Sequence, residues 1–275
     1  MHTIKFLALD LDGTLTDSTK RISPYTLGML DAAQRRGVTL IIASGRPMKG
    51  IEPIVGMLRL RERGGYVLAY NGGEVTDART GECLFRRTLP RPLLPEIVRQ
   101  ARLIGLPLMS YRNGHIITEH PSDPYILRNS SINHLPVEGV PDLSEALAGL
   151  PEPPVKCLMT GDPEALEAAE CRMREALGSE MEICRSLPYF MEIVAKGIDK
   201  AAGLGIILRR HHAMPEQMMA CGDGDNDLSM IRMAGIGVAM ENATHRLKAE
   251  AQFVTKSNDD DGVAYAVVQF IMNNV

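Results

Sequence analysis

The chain has 275 residues, room for one large domain or two ordinary ones. Its 30 Lys and Arg against 34 Asp and Glu give a formal net charge of −4, without the basic excess of a nucleic-acid binder. A 45% hydrophobic and 23% charged composition excludes wholesale disorder.

No apolar stretch approaches the ~18–20 residues that cross a bilayer. The run that follows Met1–Lys5 ends on Asp10, too soon for a signal-peptide core. A soluble, cytoplasmic chain with neither membrane nor nucleic-acid partner is expected. Five cysteines form no CxxC pair and no zinc spacing, so they are read as reduced, mostly buried small hydrophobes. With aromatics at 4% and no Trp, stacking platforms for single-stranded nucleic acid are not expected.

Ile4–Leu9 is a nearly continuous apolar run, the pattern of a strand covered on both faces in a parallel sheet. Ser23-Pro24 then predicts a helix start, with Ser as N-cap and Pro in the first turn. Leu27, Leu30 and Ala33 supply its apolar face and Gly37 its stop. Val38–Ala43 is a second buried-strand run, so the first forty residues spell strand, helix, parallel strand. The same alternation returns at Met218–Cys221, a helix through Ile231–Met233, Ile236–Ala239, and a helical spacing from Val263 to Ile271. Between these halves the chain is Pro-rich, with amphipathic helix patterns at Leu93–Ile104 and Glu164–Leu177 and a strand at Val155–Met159. The expectation is a core split between residues 1–82 and 191–275, with residues 83–190 inserted as a second α/β domain.

Four segments carry chemistry, each at a strand end or a helix start. Asp10-Leu11-Asp12-Gly13-Thr14 closes the first strand. Carboxylates two residues apart repel unless a cation or a shared proton relieves them, and hard oxygen ligands suit Mg²⁺. Ser44-Gly45 closes the second strand and offers a hydroxyl and an amide to an anion. Lys200, the third, precedes Asp223 of the fourth, acidic segment by 23 residues. That segment, Gly222-Asp223-Gly224-Asp225-Asn226-Asp227, lacks the distal Glu of an EF-hand calcium loop. Each piece also has a plain structural reading: a strand terminus with a turn, an N-cap serine, a solvated lysine, a helix-capping aspartate.

In this order and spacing the four segments resemble the motifs of the haloacid dehalogenase superfamily of phosphohydrolases, and the full-length pattern resembles its Cof-type subfamily. Asn71-Gly72 is similar to that subfamily's turn before an inserted cap, and Met191–Ile193 to its return into the core. The resemblance implies a doubly wound, Rossmann-like parallel-sheet core with an inserted α/β cap that sets substrate specificity. It implies Mg²⁺-dependent hydrolysis of a small phosphorylated metabolite, with sugar phosphates foremost. Asp10 would be the nucleophile that forms an aspartyl-phosphate, and Asp12 the general acid and base. Asp10, the Asp12 main-chain carbonyl and Asp223 would hold the metal. Leu11, Ser44, Gly45, Lys200 and Asn226 would bind phosphoryl oxygens, and Asp227 would orient metal-bound water or Lys200 from behind. Ala201 stands where the family often has Gly after the lysine, which leaves Lys196 as a second candidate. A phosphomutase and a non-catalytic phosphate- or metal-binding regulator are the alternatives, and the presence of both Asp10 and Asp12 disfavours the binder. In the insertion, Arg112, Asn113, Tyr125 and Arg128 are candidates for contacts to the leaving group.

Overall fold

The computed structural model describes residues 3–273. In chain order its strands are β1 (Phe6–Leu9), β2 (Thr39–Ala43), β3 (Gly65–Ala69), β4 (Glu74–Asp77), β5 (Cys83–Arg86), β6 (Leu108–Arg112), β7 (His115–Thr118), β8 (Val137–Gly139), β9 (Lys156–Thr160), β10 (Met181–Leu187), β11 (Phe190–Ala195), β12 (Met218–Gly222), β13 (Ile236–Ala239) and β14 (Phe253–Val254). The helices are α1 (Pro24–Arg35), α2 (Met48–Met57), α3 (Leu60–Arg63), α4 (Leu94–Ile104), α5 (Pro124–Asn133), α6 (Leu143–Ala148), α7 (Pro163–Leu177), α8 (Lys200–Arg210), α9 (Leu228–Met233), α10 (His245–Glu250) and α11 (Gly262–Val267). None is long and apolar enough to cross a membrane among the described residues.

The chain forms two compact units. The first comprises Met1–Gly45, Glu52–Phe85 and Asp199–Val275; the second comprises Arg46–Ile51 and Arg86–Ile198. In the first, eight strands run in the order β14-β13-β12-β1-β2-β3-β4-β5. The strands from β14 to β3 pair in parallel, and β4 turns back antiparallel on β3. Every residue of β1 and β12 is buried, as strands at the centre of a two-sided sheet require. Helix α1 begins as its sequence predicts: Ser23 Oγ accepts from the Thr26 amide and Pro24 opens the first turn. The chain moves outward from β1 through β2 and β3, whereas β12, β13 and β14 extend the other way. The order therefore reverses between β1 and β12, and in open α/β sheets ligands gather beyond the carboxyl ends of the strands at such a point.

The second unit has a six-stranded sheet ordered β10-β11-β9-β6-β7-β8, mostly antiparallel. Its strands feed two cores by simple alternation. Cys157 and Met159 of β9 enter a cluster with α4, α6 and α7, while Leu158 joins Met109, Ile116, Phe190 and Ile126 of α5.

Two expectations differ from the fold. Met191–Ile193, read as the return to the core, lies in β11, which pairs with both β10 and β9 in the second unit's sheet. An apolar run fits the centre of either sheet equally well, so its residues do not say which one it joins. The cysteines are not mostly buried: Cys157 and Cys221 are, whereas Cys83 on edge strand β5 and Cys171 on α7 are exposed.

Candidate active site

Asp10 follows β1 directly, and its amide donates to the Cys221 carbonyl of neighbouring β12 (3.0 Å). Asp223 follows β12, so strand pairing alone brings the two aspartates to adjacent strand ends. Lys200 is the first residue of α8, where Asp199 caps the helix by accepting from the Ala202 amide (2.8 Å). Its side chain is fully buried, and Nζ donates to Asp10 Oδ1 (2.5 Å) and Asp227 Oδ1 (2.5 Å). Lys196 is exposed in the second unit. Of the two candidate lysines, Lys200 is the one that reaches the aspartates.

The acidic loop folds around Asp227. Its Oδ2 accepts from the amides of Asp223 (2.9 Å) and Gly224 (3.0 Å), so both of its oxygens hold partners that shape the site. Asp227 does open α9 in the backbone sense, yet its side chain makes no helix-capping bond. Asp223 Oδ1 accepts from Thr14 Oγ1 (2.7 Å). Gly13, at φ +89°, passes so near that a Cβ there would stand 2.5 Å from Asp223 Oδ2, so only glycine admits this approach.

Ser44 is buried at the end of β2. Its amide donates to the Leu68 carbonyl (2.9 Å), and its carbonyl accepts from the Asn71 amide (2.9 Å). Asn71, left-handed at φ +57° and buried, also accepts from Asn226 Nδ2 through Oδ1 (3.1 Å). One residue thus ties the second motif to the fourth. Leu11 is buried, and its carbonyl accepts from the Thr16 amide and hydroxyl. Gly45 ends the first unit's opening segment. The Asp12 carboxylate does not join the other three: its Oδ1 accepts from Lys20 Nζ (2.7 Å). Thr14, Lys20 and Asn71 were not picked out as site residues from the sequence. The Asn-Gly dipeptide at residues 71–72 was the one available sign.

Carboxylate oxygens of Asp10, Asp223 and Asp227 lie within 4.8 Å of one another. Burial pushes the Asp10 carboxyl well above its usual range, with the charges of Asp227 and Asp223 adding to the rise and Lys200 opposing it. Burial, then Asp227, pushes Asp223 up to about 6. Burial alone would lower the Lys200 ammonium, but the charges of Asp10 and Asp227 and their hydrogen bonds overcome it and raise it. Three crowded carboxylates against one ammonium leave two negative charges uncompensated when all ionise. Hard oxygen donors with that excess fit a divalent cation such as Mg²⁺.

A sequence profile of haloacid dehalogenase-like hydrolases matches residues 7–267. The structure is similar to that of a haloacid dehalogenase-like hydrolase from Bacteroides thetaiotaomicron, with a TM-score of 0.90 and 39% identity over 97% of this chain and 99% of that one. It is similar to a sugar phosphatase of haloacid dehalogenase subclass IIB, with a TM-score of 0.81 and 27% identity over 97% and 98% of the two chains. In sequence it is 28% identical to the 5-amino-6-(5-phospho-D-ribitylamino)uracil phosphatase YcsE of Bacillus subtilis, over 98% of this chain and 96% of that protein. Strand order, the lysine-bridged aspartates and full-length similarity agree: the chain belongs to the haloacid dehalogenase-like hydrolase family, among its Cof-type phosphatases.

Proposed function

We propose that the chain is a Mg²⁺-dependent phosphomonoesterase that works through an aspartyl-phosphate on a small phosphorylated metabolite, with sugar phosphates as the substrate class. The observation that carries this reading is the buried Lys200 ammonium bridging Asp10 and Asp227 beside Asp223, at the reversal point of the sheet. A nucleophilic carboxylate must be ionised, which burial opposes; the ammonium at Oδ1 favours the ionised form of Asp10 against that burial. Asp10 attacks phosphorus, an O–P bond forms, and the bond to the leaving alkoxide breaks. Asp12 gives that alkoxide a proton. It then takes one from the water that hydrolyses the acyl phosphate and restores Asp10. Lys200, Ser44, the Gly45 and Leu11 amides and Asn226 receive the phosphoryl oxygens, and Asp227 fixes Lys200 and the acidic loop.

Asp10, the Asp12 main-chain carbonyl and Asp223 would hold Mg²⁺. When bound, the ion supplies the charge neutralisation that lets an anionic nucleophile approach a phosphate dianion. Sugar phosphates are favoured by the full-length similarity to the subclass IIB sugar phosphatase. Choice among them is assigned to the second unit. There Arg112 pairs with Glu138, Tyr125 donates to Asp162 Oδ1 (2.5 Å), and Arg128 lies over the Tyr189 ring (4.3 Å). The test is turnover of p-nitrophenyl phosphate by purified protein with and without Mg²⁺, followed by a panel of phosphorylated metabolites. Metal-dependent phosphate release with sugar phosphates leading is expected; no release from any phosphomonoester overturns the reading.

A further inference from the structure

An exposed ion pair contributes little free energy by itself, so the contact between Lys20 and Asp12 needs more than its distance to acquire a role. The backbone supplies it. Lys20 is left-handed at φ +63°, a conformation that glycine and asparagine adopt far more readily than lysine. The turn that imposes it is fixed by Asp17, whose Oδ1 accepts from the Thr19 amide (2.8 Å), the Thr19 hydroxyl (2.7 Å) and the Arg21 amide (2.9 Å). The Lys20 amide donates to the Asp17 carbonyl (2.9 Å), and the Asp17 amide to the Arg21 carbonyl (2.8 Å). The stretch leading to this turn is pinned from outside as well. Asn242 Nδ2 donates to the Gly13 carbonyl (2.8 Å), Asn258 Nδ2 to the Thr16 carbonyl (2.9 Å), and the Ser18 amide to Asp259 Oδ1 (2.7 Å).

An unfavourable lysine conformation is therefore held in a braced turn, and its outcome is an ammonium returned to Asp12 Oδ1 at 2.7 Å. We propose that Lys20 is a positioning residue that fixes the orientation of the Asp12 carboxyl for its proton transfers. The proposal rests on the reading of Asp12 as acid and base. An ammonium has donors only, so the oxygen it holds cannot also carry the transferred proton, which is assigned to Oδ2. A carboxyl turned from that orientation would present Oδ2 less well to the leaving group, and transfer needs an approach of about 2.6–3.2 Å.

The experiment compares the parent, Lys20→Asn, Lys20→Gly and Lys20→Arg with p-nitrophenyl phosphate and Mg²⁺, reading kcat, KM and Tm, and adds Asp12→Asn alone and combined with Lys20→Asn. Asn and Gly both suit the left-handed backbone, so the fold survives in at least one of them. Their kcat falls about tenfold, as expected for removal of a group that orients a reacting side chain. KM stays within about twofold and Tm is unchanged or higher, because the strained lysine is gone while the turn remains. Lys20→Arg recovers most of the rate, and the double variant is no slower than Asp12→Asn. Parental kcat in Lys20→Asn and Lys20→Gly overturns the proposal. So does a rise in KM in place of the loss in kcat, or a further loss on the Asp12→Asn background, which would put Lys20 to work on the substrate. A parental rate in Asp12→Asn would instead overturn the reading of Asp12 and the proposal with it.

Discussion

Burial drives Asp10 toward its neutral form, and Lys200 at 2.5 Å opposes that drive without reversing it. Asp10→Asn keeps a hydrogen-bond acceptor for the ammonium and removes the attacking charge. Turnover is expected to fall on the order of 10³-fold or more with the fold retained, as steady-state kinetics and a melting scan will show. Asp223 differs in being one of the groups proposed to hold Mg²⁺. Its carboxyl is raised to about 6, so its neutral form suits the folded state, and ionisation costs stability as pH climbs from about 4 through 6. Above that window, without metal, the ionised group opposes folding by up to about 3 kcal/mol. Asp223→Asn in EDTA at pH 7.5 should therefore melt above the parent, lose that advantage near pH 4, and gain nothing from Mg²⁺. Thermal scans over pH decide it, and a variant that melts below the parent at pH 7.5 contradicts the electrostatic account.

At the scale of elements, position is set by where strands end and helices begin. Lys200 opens α8 under an Asp199 cap, and Gly72 lies so close to the Asp199 carbonyl that a Cβ there would meet it at 2.4 Å. Asp199→Ala should lower unfolding free energy by about 1 kcal/mol, with Asp199→Ser restoring most of it, as denaturant titration will report. These termini were readable from sequence: Ser23-Pro24, the buried runs of β1, β2 and β12, and the acidic groups that follow β1 and β12 sit where local patterning put them. Local patterning is silent about pairs far apart along the chain. Asn71 meets Asn226 across 155 positions, and Thr14 meets Asp223 across 209, so neither bond leaves a mark on its neighbours in sequence. Lys20 was hidden differently: its left-handed backbone is a property of a folded turn, in a residue type that gives no warning of it. The assignment of β11 failed because burial on both faces writes the same apolar run whichever sheet receives it.

For the whole molecule, every proposed metal-holding group belongs to the first unit. Mg²⁺ should therefore slow amide hydrogen exchange around residues 10–16 and 222–228 and leave β9, β10 and β11 unaltered. Hydrogen-exchange mass spectrometry at about a hundredfold excess over Kd, where binding adds about 2.7 kcal/mol, provides the check. Equal protection in both units would place the ion elsewhere. The order of the larger sheet has one more effect, on biosynthesis. β1 is flanked by β2, which follows it within forty residues, and by β12, in register Phe6 to Met218. At about 5–20 residues per second, a ribosome delivers β12 roughly 10–40 seconds after β1. Throughout that interval the nascent chain carries an apolar strand with one unpaired edge, open to any other extended segment. Chaperone binding to translation intermediates stalled before residue 218, and its loss soon after, would be the cellular trace of a sheet whose middle strand is made first and closed late.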